Sequence, residues 1–231
     1  ATRGRDRRLM ERVSTIDELR GTLGRSKRPI GLVPTMGALH EGHLSLIRAA
    51  RASCATVVTT IFVNPSQFGP SEDFARYPRP IDDDMAKLES ADVDLAFIPA
   101  VEHMYPTGFC TTVNVQGPSL PLEGELRPGH FDGVASIVLK LLLQALPDQV
   151  YFGQKDAQQV AVIKRLVHDL DVPVEIVVCP TVRENDGLAV SSRNQYLTNE
   201  QRTAASVIYR ALAATRDRFR SGQQARARLE D

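Results

Sequence analysis

Two histidines, His40 and His43, stand in a glycine-bearing stretch between a predicted strand and a predicted helix. The apolar run 30–33 before them is typical of a buried parallel strand, and apolar residues at helical spacing follow them. Their spacing puts both imidazoles on one face of the first helical turn, where free N–H groups and partial positive charge favour a phosphate. Gly37 and Gly42 lack a Cβ, so a phosphate can approach the backbone closely. The sequence therefore predicts a phosphate site faced by two imidazoles and a row of amides.

Further polar side chains follow other predicted strands. Lys155 and Asp156 come after a strand and a glycine turn, and a lysine ammonium supplies a point charge to a triphosphate. Gln67 and Gln159 carry neutral amides, which can donate to and accept from a hydroxy acid. Taken singly, a solvated lysine and ordinary surface glutamines explain them as well. Because ligands of parallel sheets bind beyond the carboxyl ends of the strands, these groups are expected to meet there.

A metal site held by protein ligands is the weaker interpretation of the same residues. The histidine pair has no third ligand nearby in sequence. The run Asp82–Asp84 opens a predicted helix and could approach Mg²⁺, but aspartates at a helix start are explained more simply by the helix dipole. We therefore predict no metal ligands from the protein.

The order of predicted elements indicates an α/β protein. Strands alternate with helices, which predicts a parallel sheet covered on both faces with right-handed crossovers. A turn-rich insertion, 101–126, interrupts the alternation and contains a short predicted strand, 111–115. After residue 180 the pattern changes to a loop and a polar helix from about 200 to 220, so we predict domains at 1–181 and 182–231. The predicted strands are 30–33, 56–63, 95–98, 149–152 and 174–178, and the predicted helices include 15–23, 82–88, 134–146 and 156–170.

Composition narrows the classes of partner. The 231 residues carry 28 basic and 28 acidic side chains, which gives no broad basic excess for nucleic acid. No segment is long and apolar enough to span a membrane. An arginine cluster near the N-terminus lacks an apolar segment behind it, so we interpret it as an extension and not as a secretory signal, with Met10 as a possible natural start. The cluster is Arg3, Arg5, Arg7 and Arg8, and the cysteines are Cys54, Cys110 and Cys179.

Three cysteines far apart in the sequence fit a reducing cytoplasm, and neither a disulfide framework nor a zinc site.

The helix 134–146 is apolar nearly all round and must be buried on more than one side. Its outer face could meet a second subunit. We therefore predict a cytoplasmic homodimer.

The string TMGALHEGH, which ends at His43, resembles the HIGH-type motif of a nucleotidyltransferase superfamily. More specifically, it is similar to the string of the pantothenate synthetase (pantoate–β-alanine ligase) family. Other strings agree with that family in the right order, although Gln154 stands where the family usually has Glu and Val190 where it usually has Met. These strings are PSQF (65–68), RPGHF (127–131), GQKD (153–156), KDAQQ (155–159) and VSSRN (190–194).

The resemblance implies a Rossmann-like sheet and a smaller C-terminal lid domain, here incomplete because family members run further. It implies two steps, in which the pantoate carboxylate attacks the α-phosphate of ATP and the β-alanine amine then displaces AMP. The implied cofactors are ATP and Mg²⁺, with Mg²⁺ held mostly by ATP. The implied catalytic residues are His43, His40 and Lys155, and the implied pantoate and β-alanine residues are Gln67 and Gln159. The implied ATP-binding residues are Met36, Gly37, Ala38, Leu39, His40, Glu41, Gly42, His43, Gly153, Gln154, Lys155, Asp156, Val182, Val190, Ser191, Ser192 and Arg193.

Two other functions stay open at this point. The chain could be a nucleotidyltransferase that keeps AMP on its product, or a nucleotide-binding module without turnover. The PSQF and KDAQQ strings favour the ligase over the first alternative. Every motif could still bind ATP in the second.

Overall fold

A computed structural model describes residues 9–223 of the chain. The arginine cluster predicted to be an extension lies outside the described residues. The chain divides into two compact units, residues 1–180 and 181–231. Within the described part, no helix is long and apolar enough to cross a membrane.

The first unit is built on one parallel sheet. Its strands are β1 Glu11–Val13, β2 Ile30–Thr35, β3 Thr56–Ile61, β4 Leu95–Phe97, β5 Gln149–Gly153 and β6 Glu175–Cys179. They lie in the order β1-β4-β3-β2-β5-β6. From β2 the chain moves outward through β3 to β4, which pairs with the edge strand β1, and then returns beyond β2 to β5 and the other edge strand, β6. The carboxyl ends of β2 and β5 therefore flank the point where the winding reverses, which is where ligands bind in such sheets.

Helices cover both faces of this sheet, which confirms the predicted α/β class. The helices of the first unit are α1 Ile16–Leu23, α2 Glu41–Ser53, α3 Ile81–Ser90, α4 Val101–Met104, α5 Glu123–Leu126, α6 His130–Ala145 and α7 Ala157–Asp169. The second unit contains α8 Asn199–Ala205 and α9 Val207–Arg220. One face packs against α1, α6 and α7, and the other packs against α2 and α3. Alternation along β2 explains the two cores, because Ile30 and Leu32 face the first group and Val33 faces the second.

Helix α6 is buried mainly by its own chain. Its Val134 and Ile137 join the core beneath the sheet, while Phe131 and Ala135 pack against Val162 of α7. Among its large apolar side chains, Leu143 is exposed. The all-round apolar pattern therefore reflects a helix packed between the sheet and α7, and it leaves little outer face for a second subunit.

Three predictions about elements need correction. The predicted strand 111–115 is not a strand, because this segment packs on α6, where Ser136 Oγ accepts the backbone N–H of Val113 at 2.8 Å. Strand β1 was missed, since three residues are too short to show an alternating pattern. The predicted helix 200–220 is divided at Ser206 into α8 and α9.

The second unit begins with a hairpin-like turn. The N–H of Val190 donates to the carbonyl of Val182 at 3.0 Å, and Arg183 pairs with Ala189 in an antiparallel bridge. The guanidinium of Arg183 lies 4.8 Å from the centroid of the Tyr209 ring, so the turn packs on α9. A short 3₁₀ turn, Ser192–Tyr196, follows, with Ser191 as its N-cap.

Candidate active site

His40 is the N-cap of α2, a position usually held by Ser, Thr, Asp or Asn. Its Nδ1 accepts the N–H of Gly42 at 3.1 Å, and Nδ1 of His43 accepts the N–H of His40 at 3.3 Å. The two rings stack with centroids 4.0 Å apart. An imidazole whose Nδ1 accepts a hydrogen bond carries its proton on Nε2 when neutral. Both histidines therefore present Nε2–H as the remaining donor.

The surroundings keep both histidines neutral. Burial, the neighbouring His40 and the charge of Lys155 lower the pKa of His43 to about 3. Burial and Lys155 also lower the pKa of His40 from its ordinary value. The neutral Nε2–H groups of His40 and His43 can donate hydrogen bonds to phosphate oxygens without adding positive charge.

The backbone amides of residues 37–40 are bonded to groups of the protein itself, which corrects the predicted row of amides that faces a phosphate. Thr35 Oγ1 accepts the N–H of Gly37, and the carboxylate of Asp84 accepts those of Ala38 and Leu39 at 2.8 and 2.6 Å. Together with the two bonds to imidazole nitrogens, these contacts occupy the loop's amides internally. The imidazoles, and not the amides of residues 37–40, are the groups left to meet a phosphate.

Asp84 is the residue that sequence reasoning missed. It is fully buried although it opens α3 beside two other aspartates. Burial raises the pKa of its carboxyl, while the N–H groups of Leu39 and Ala38 act in the opposite direction. One turn along α3, Lys87 Nζ donates to the carbonyl of Leu39 at 2.7 Å and to Asp83 at 2.6 Å. Helix α3 thus holds the histidine loop from behind, and no sequence signal distinguishes Asp84 from its neighbours.

Lys155 lies in a 3₁₀ turn, Gln154–Asp156, between β5 and α7. Its Nζ is 3.1 Å from Asp156 Oδ1, and the side chain remains 38% exposed. Strands β2 and β5 are parallel neighbours, so the loops that follow them leave from the same end of the sheet, and the charge of Lys155 lowers the pKa of both histidines. The structure therefore brings the predicted strings 36–43 and 153–156 together at the β2–β5 edge.

Gln67 lies in the turn that follows the carboxyl end of β3. It ends the 3₁₀ turn Pro65–Gln67, and its Nε2 lies 3.3 Å from the sulfur of Met36 in the histidine loop. Its Oε1 accepts from Asn64 at 3.0 Å. The other predicted glutamine, Gln159, is half-buried in the first turn of α7. Its neighbour Gln158 instead ties α7 to the insertion by donating to the carbonyls of Pro118 and Pro121.

Arg127 and His130 support the turn that carries Gln67. Arg127 forms a two-bond ion pair with Glu72, with distances of 2.8 and 2.6 Å, and it donates to Nε2 of His130 at 3.1 Å. Nδ1 of His130 therefore carries the proton and donates to the backbone carbonyl of Gln67 at 2.8 Å. Burial lowers the pKa of His130, which keeps this tautomer neutral.

A cavity of about 240 Å³ opens beside the histidine loop, where Met36, Phe62 and Asp84 contribute to its wall. A larger cavity, of about 790 Å³, lies at the opposite, amino end of the sheet, next to the first residues of β1, β3 and β4. The larger cavity contains none of the predicted site residues. The smaller cavity is therefore the one that adjoins the predicted site residues, among them Met36 and Gly37.

Comparison with known proteins decides the family. The family described as Pantoate-beta-alanine ligase matches residues 8–231. This chain belongs to the pantoate–β-alanine ligase family. A pantothenate synthetase from Roseiflexus sp. (strain RS-1) is 58% identical over 215 residues, which are 93% of this chain and 77% of that relative.

Solved structures of the same family share the fold. A crystal structure of pantothenate synthetase from Thermus thermophilus has a TM-score of 0.90 at 54% identity, and the match covers 92% of this chain and 77% of that one. A pantoate–β-alanine ligase from Francisella tularensis, crystallised with beta-gamma ATP and β-alanine, has a TM-score of 0.84 at 41% identity, with 89% and 80% covered. The roles of individual residues in ATP and substrate binding stay predictions.

Proposed function

We propose that this chain uses ATP to join the carboxylate of pantoate to the amine of β-alanine, in two steps at the β2–β5 edge. Family membership supports the ligase activity, and the Francisella relative was crystallised with beta-gamma ATP and β-alanine. One observation carries the residue assignment. The two stacked imidazoles use Nδ1 as acceptors and so keep Nε2–H as the remaining donor, on the loop that follows β2 at the winding reversal of the sheet.

In the first step a pantoate carboxylate oxygen attacks the α-phosphorus of ATP. An O–P bond forms, the bond to the β-phosphate breaks, and pyrophosphate leaves. His40 and His43 donate to phosphate oxygens, and Lys155 offsets the charge that grows on the leaving pyrophosphate. Such a transfer depends on positioning and charge stabilisation more than on covalent work by the protein.

In the second step the β-alanine amine attacks the acyl carbon of pantoyl-adenylate. A C–N bond forms, the C–O bond to the phosphate breaks, and AMP leaves as the amine loses a proton. Gln67 and Gln159 hold the pantoyl part through its oxygen atoms. Val182 and Val190–Arg193 are proposed to contact ATP on the strength of the family resemblance.

Mg²⁺ is proposed to bind to the phosphates of ATP. Two of the three aspartates that open α3 do not fit a metal site, because Asp84 accepts two backbone N–H groups and Asp83 is paired with Lys87. In residues 9–223 there is no cluster of three His, Cys, Asp or Glu residues that could hold a metal ion. When bound, Mg²⁺ would neutralise phosphate charge in both steps.

We also propose that the protein is a cytoplasmic homodimer. Three free cysteines support the compartment, since such thiols persist in a reducing environment. The insertion, and not α6, offers the surface for a second subunit, because Leu120, Leu122 and Leu126 are exposed there.

Exchange of labelled pyrophosphate into ATP tests the proposed reaction. Pantoate and Mg²⁺ alone should support exchange, because the first step is reversible and needs no amine. Adding β-alanine should then release AMP and form an amide. His43→Gln should lower exchange by about 10²–10³-fold, the usual loss for one transition-state donor.

His168→Gln is the matched control, because this side chain is 81% exposed on α7. It should exchange at the wild-type rate. Exchange with another acceptor and no AMP release would indicate a nucleotidyltransferase instead. ATP binding without exchange would indicate a binding module.

A further inference from the structure

The orientation of the Asn64 amide is fixed by the backbone around it. Asn64 is 1% exposed and is the N-cap of the turn that ends at Gln67. Its Nδ2 donates to the carbonyl of Gly133 at 3.2 Å, and its Oδ1 accepts the N–H of Ser66 at 3.3 Å. A backbone carbonyl can only accept and a backbone N–H can only donate. The amide of Asn64 therefore has one possible orientation.

That orientation determines what Gln67 offers to a ligand. Because Nδ2 of Asn64 is a donor, it must face Oε1 of Gln67, at 3.0 Å. The amide NH₂ of Gln67 then points the other way, towards Met36 in the histidine loop. Gln67 thus turns its NH₂ donors towards the histidine loop and its carbonyl oxygen towards Asn64.

Two hydroxyl groups strengthen the same arrangement. Tyr105 donates to Oδ1 of Asn64 at 2.7 Å, Ser66 Oγ lies 2.9 Å from the same oxygen, and the two hydroxyls are 3.0 Å apart. Burial raises the pKa of Tyr105, so its hydroxyl stays protonated as a donor. Tyr105 comes from the segment after α4, about 40 residues beyond Asn64, so it links the insertion to the substrate edge.

We propose that Tyr105, helped by Ser66, is a positioning residue that holds Asn64 in this orientation and thereby stabilises the orientation of the Gln67 amide. The NH₂ of Gln67 then donates to an acceptor oxygen of the hydroxy acid, and its carbonyl oxygen, which could accept from the ammonium of β-alanine, is turned towards Asn64. This inference rests on the proposed function. It assigns the side of Gln67 that meets pantoate and names the residues that enforce it.

Tyr105→Phe tests the relay because phenylalanine keeps the ring contacts with Phe62 and Phe109 and removes only the hydroxyl. We expect the pantoate KM in the exchange assay to rise about fivefold, as for loss of one neutral hydrogen bond. The KM for ATP should stay within about twofold. Adding Ser66→Ala should raise the pantoate KM further, and calorimetric titration of pantoate should show the same ranking.

Tyr151→Phe is the matched control. It removes a hydroxyl that bonds to Gln149, away from the turn of Asn64. It should leave the pantoate KM unchanged. An unchanged pantoate KM and affinity in the Tyr105→Phe and Ser66→Ala double variant would overturn the inference, and so would equal losses for ATP and pantoate. A wild-type protein that binds pantoate without exchange would refute the proposed reaction, while the titration still tests the relay.

Discussion

At the scale of single residues, an imidazole at the N-cap can accept a backbone hydrogen bond and still keep a donor of its own. A serine or aspartate at this position also satisfies an amide of the first turn, but an aspartate adds negative charge where we propose that a phosphate binds. Neutral His40 accepts the N–H of Gly42 through Nδ1 and keeps a donor on Nε2. His43 repeats the arrangement on the N–H of His40. Each ring therefore satisfies a backbone N–H at the helix end and keeps a donor for the proposed ligand.

The depressed pKa of His43 makes folding stability depend on pH. The folded state holds this group at a pKa of about 3, whereas the unfolded chain has the ordinary value of 6.5. Below pH 6.5 the unfolded chain binds a proton that the folded chain does not, so stability is lost as the pH falls. The slope from this group approaches about 1.4 kcal/mol per pH unit. We expect urea unfolding at pH 6.5, 5.5 and 4.5 to show this loss.

The same titration in His43→Gln isolates the contribution. Glutamine retains an acceptor for the N–H of His40 but does not titrate. The variant should lose less stability between these pH values than the wild type does. Equal pH slopes for wild type and His43→Gln would contradict a buried neutral His43.

The residue scale also shows what the sequence could not reveal. The H-x-x-H spacing is enough to predict two neighbouring imidazoles at a helix start. The use of the loop amides depends on Asp84, which lies 46 residues beyond Ala38. Asp84 stands in a run of three aspartates that a helix dipole already explains. Only packing of α3 against the loop separates the buried carboxylate from the two solvated ones.

At the scale of elements, the site depends on how closely α6 approaches the turn Pro65–Gln67. A Cβ added at Gly133 would lie 2.3 Å from the carbonyl oxygen of Ser66 and 2.7 Å from the Cα of Gln67. These are backbone atoms, so they cannot move aside cheaply. Glycine at this position lets the carbonyl of residue 133 reach Asn64.

Gly133→Ala should therefore damage both stability and substrate handling. We expect a loss of about 1–3 kcal/mol in the free energy of unfolding, as for an overpacked core, and a higher pantoate KM. Denaturant unfolding and the exchange assay measure the two effects.

Gly21→Ala is the control, because a Cβ there would have Arg25 at 3.8 Å as its nearest neighbour. It should stabilise α1 by about 0.5–1 kcal/mol. A Gly133→Ala protein as stable as the wild type would mean that the turn and α6 are not in rigid contact.

Strand prediction succeeded for β2 to β6, including the edge strand β6, and failed for β1 and for the segment 111–115. Strands β2 and β3 are buried along most of their length and consist of apolar or β-branched runs. Strand β1 is a three-residue edge strand whose pattern is too short to recognise. The segment 111–115 has β-branched residues, but its contacts are with α6, which no local pattern reveals.

At the scale of the whole molecule, the buried core belongs to the first unit. The buried apolar residues of the described chain run from Val13 to Cys179. Residues 181–223 add exposed apolar side chains instead, among them Ile208 and Leu212 of α9. The fold that holds His40, His43, Lys155 and Gln67 is therefore complete within the first unit.

A second copy of the chain is the partner that we predict for the exposed leucines of the insertion. Leu120, Leu122 and Leu126 are 57%, 71% and 82% exposed on adjoining turns, a concentration typical of an interaction surface. Sedimentation velocity at micromolar concentration should show a dimer. The double variant Leu122→Asp and Leu126→Asp should be a monomer with an unchanged unfolding midpoint, because neither side chain is in the core. Leu170→Asp at the end of α7, where the side chain is also exposed, should leave the dimer intact. A monomeric wild type would refute the predicted dimer, and a variant that stays dimeric would place the interface elsewhere.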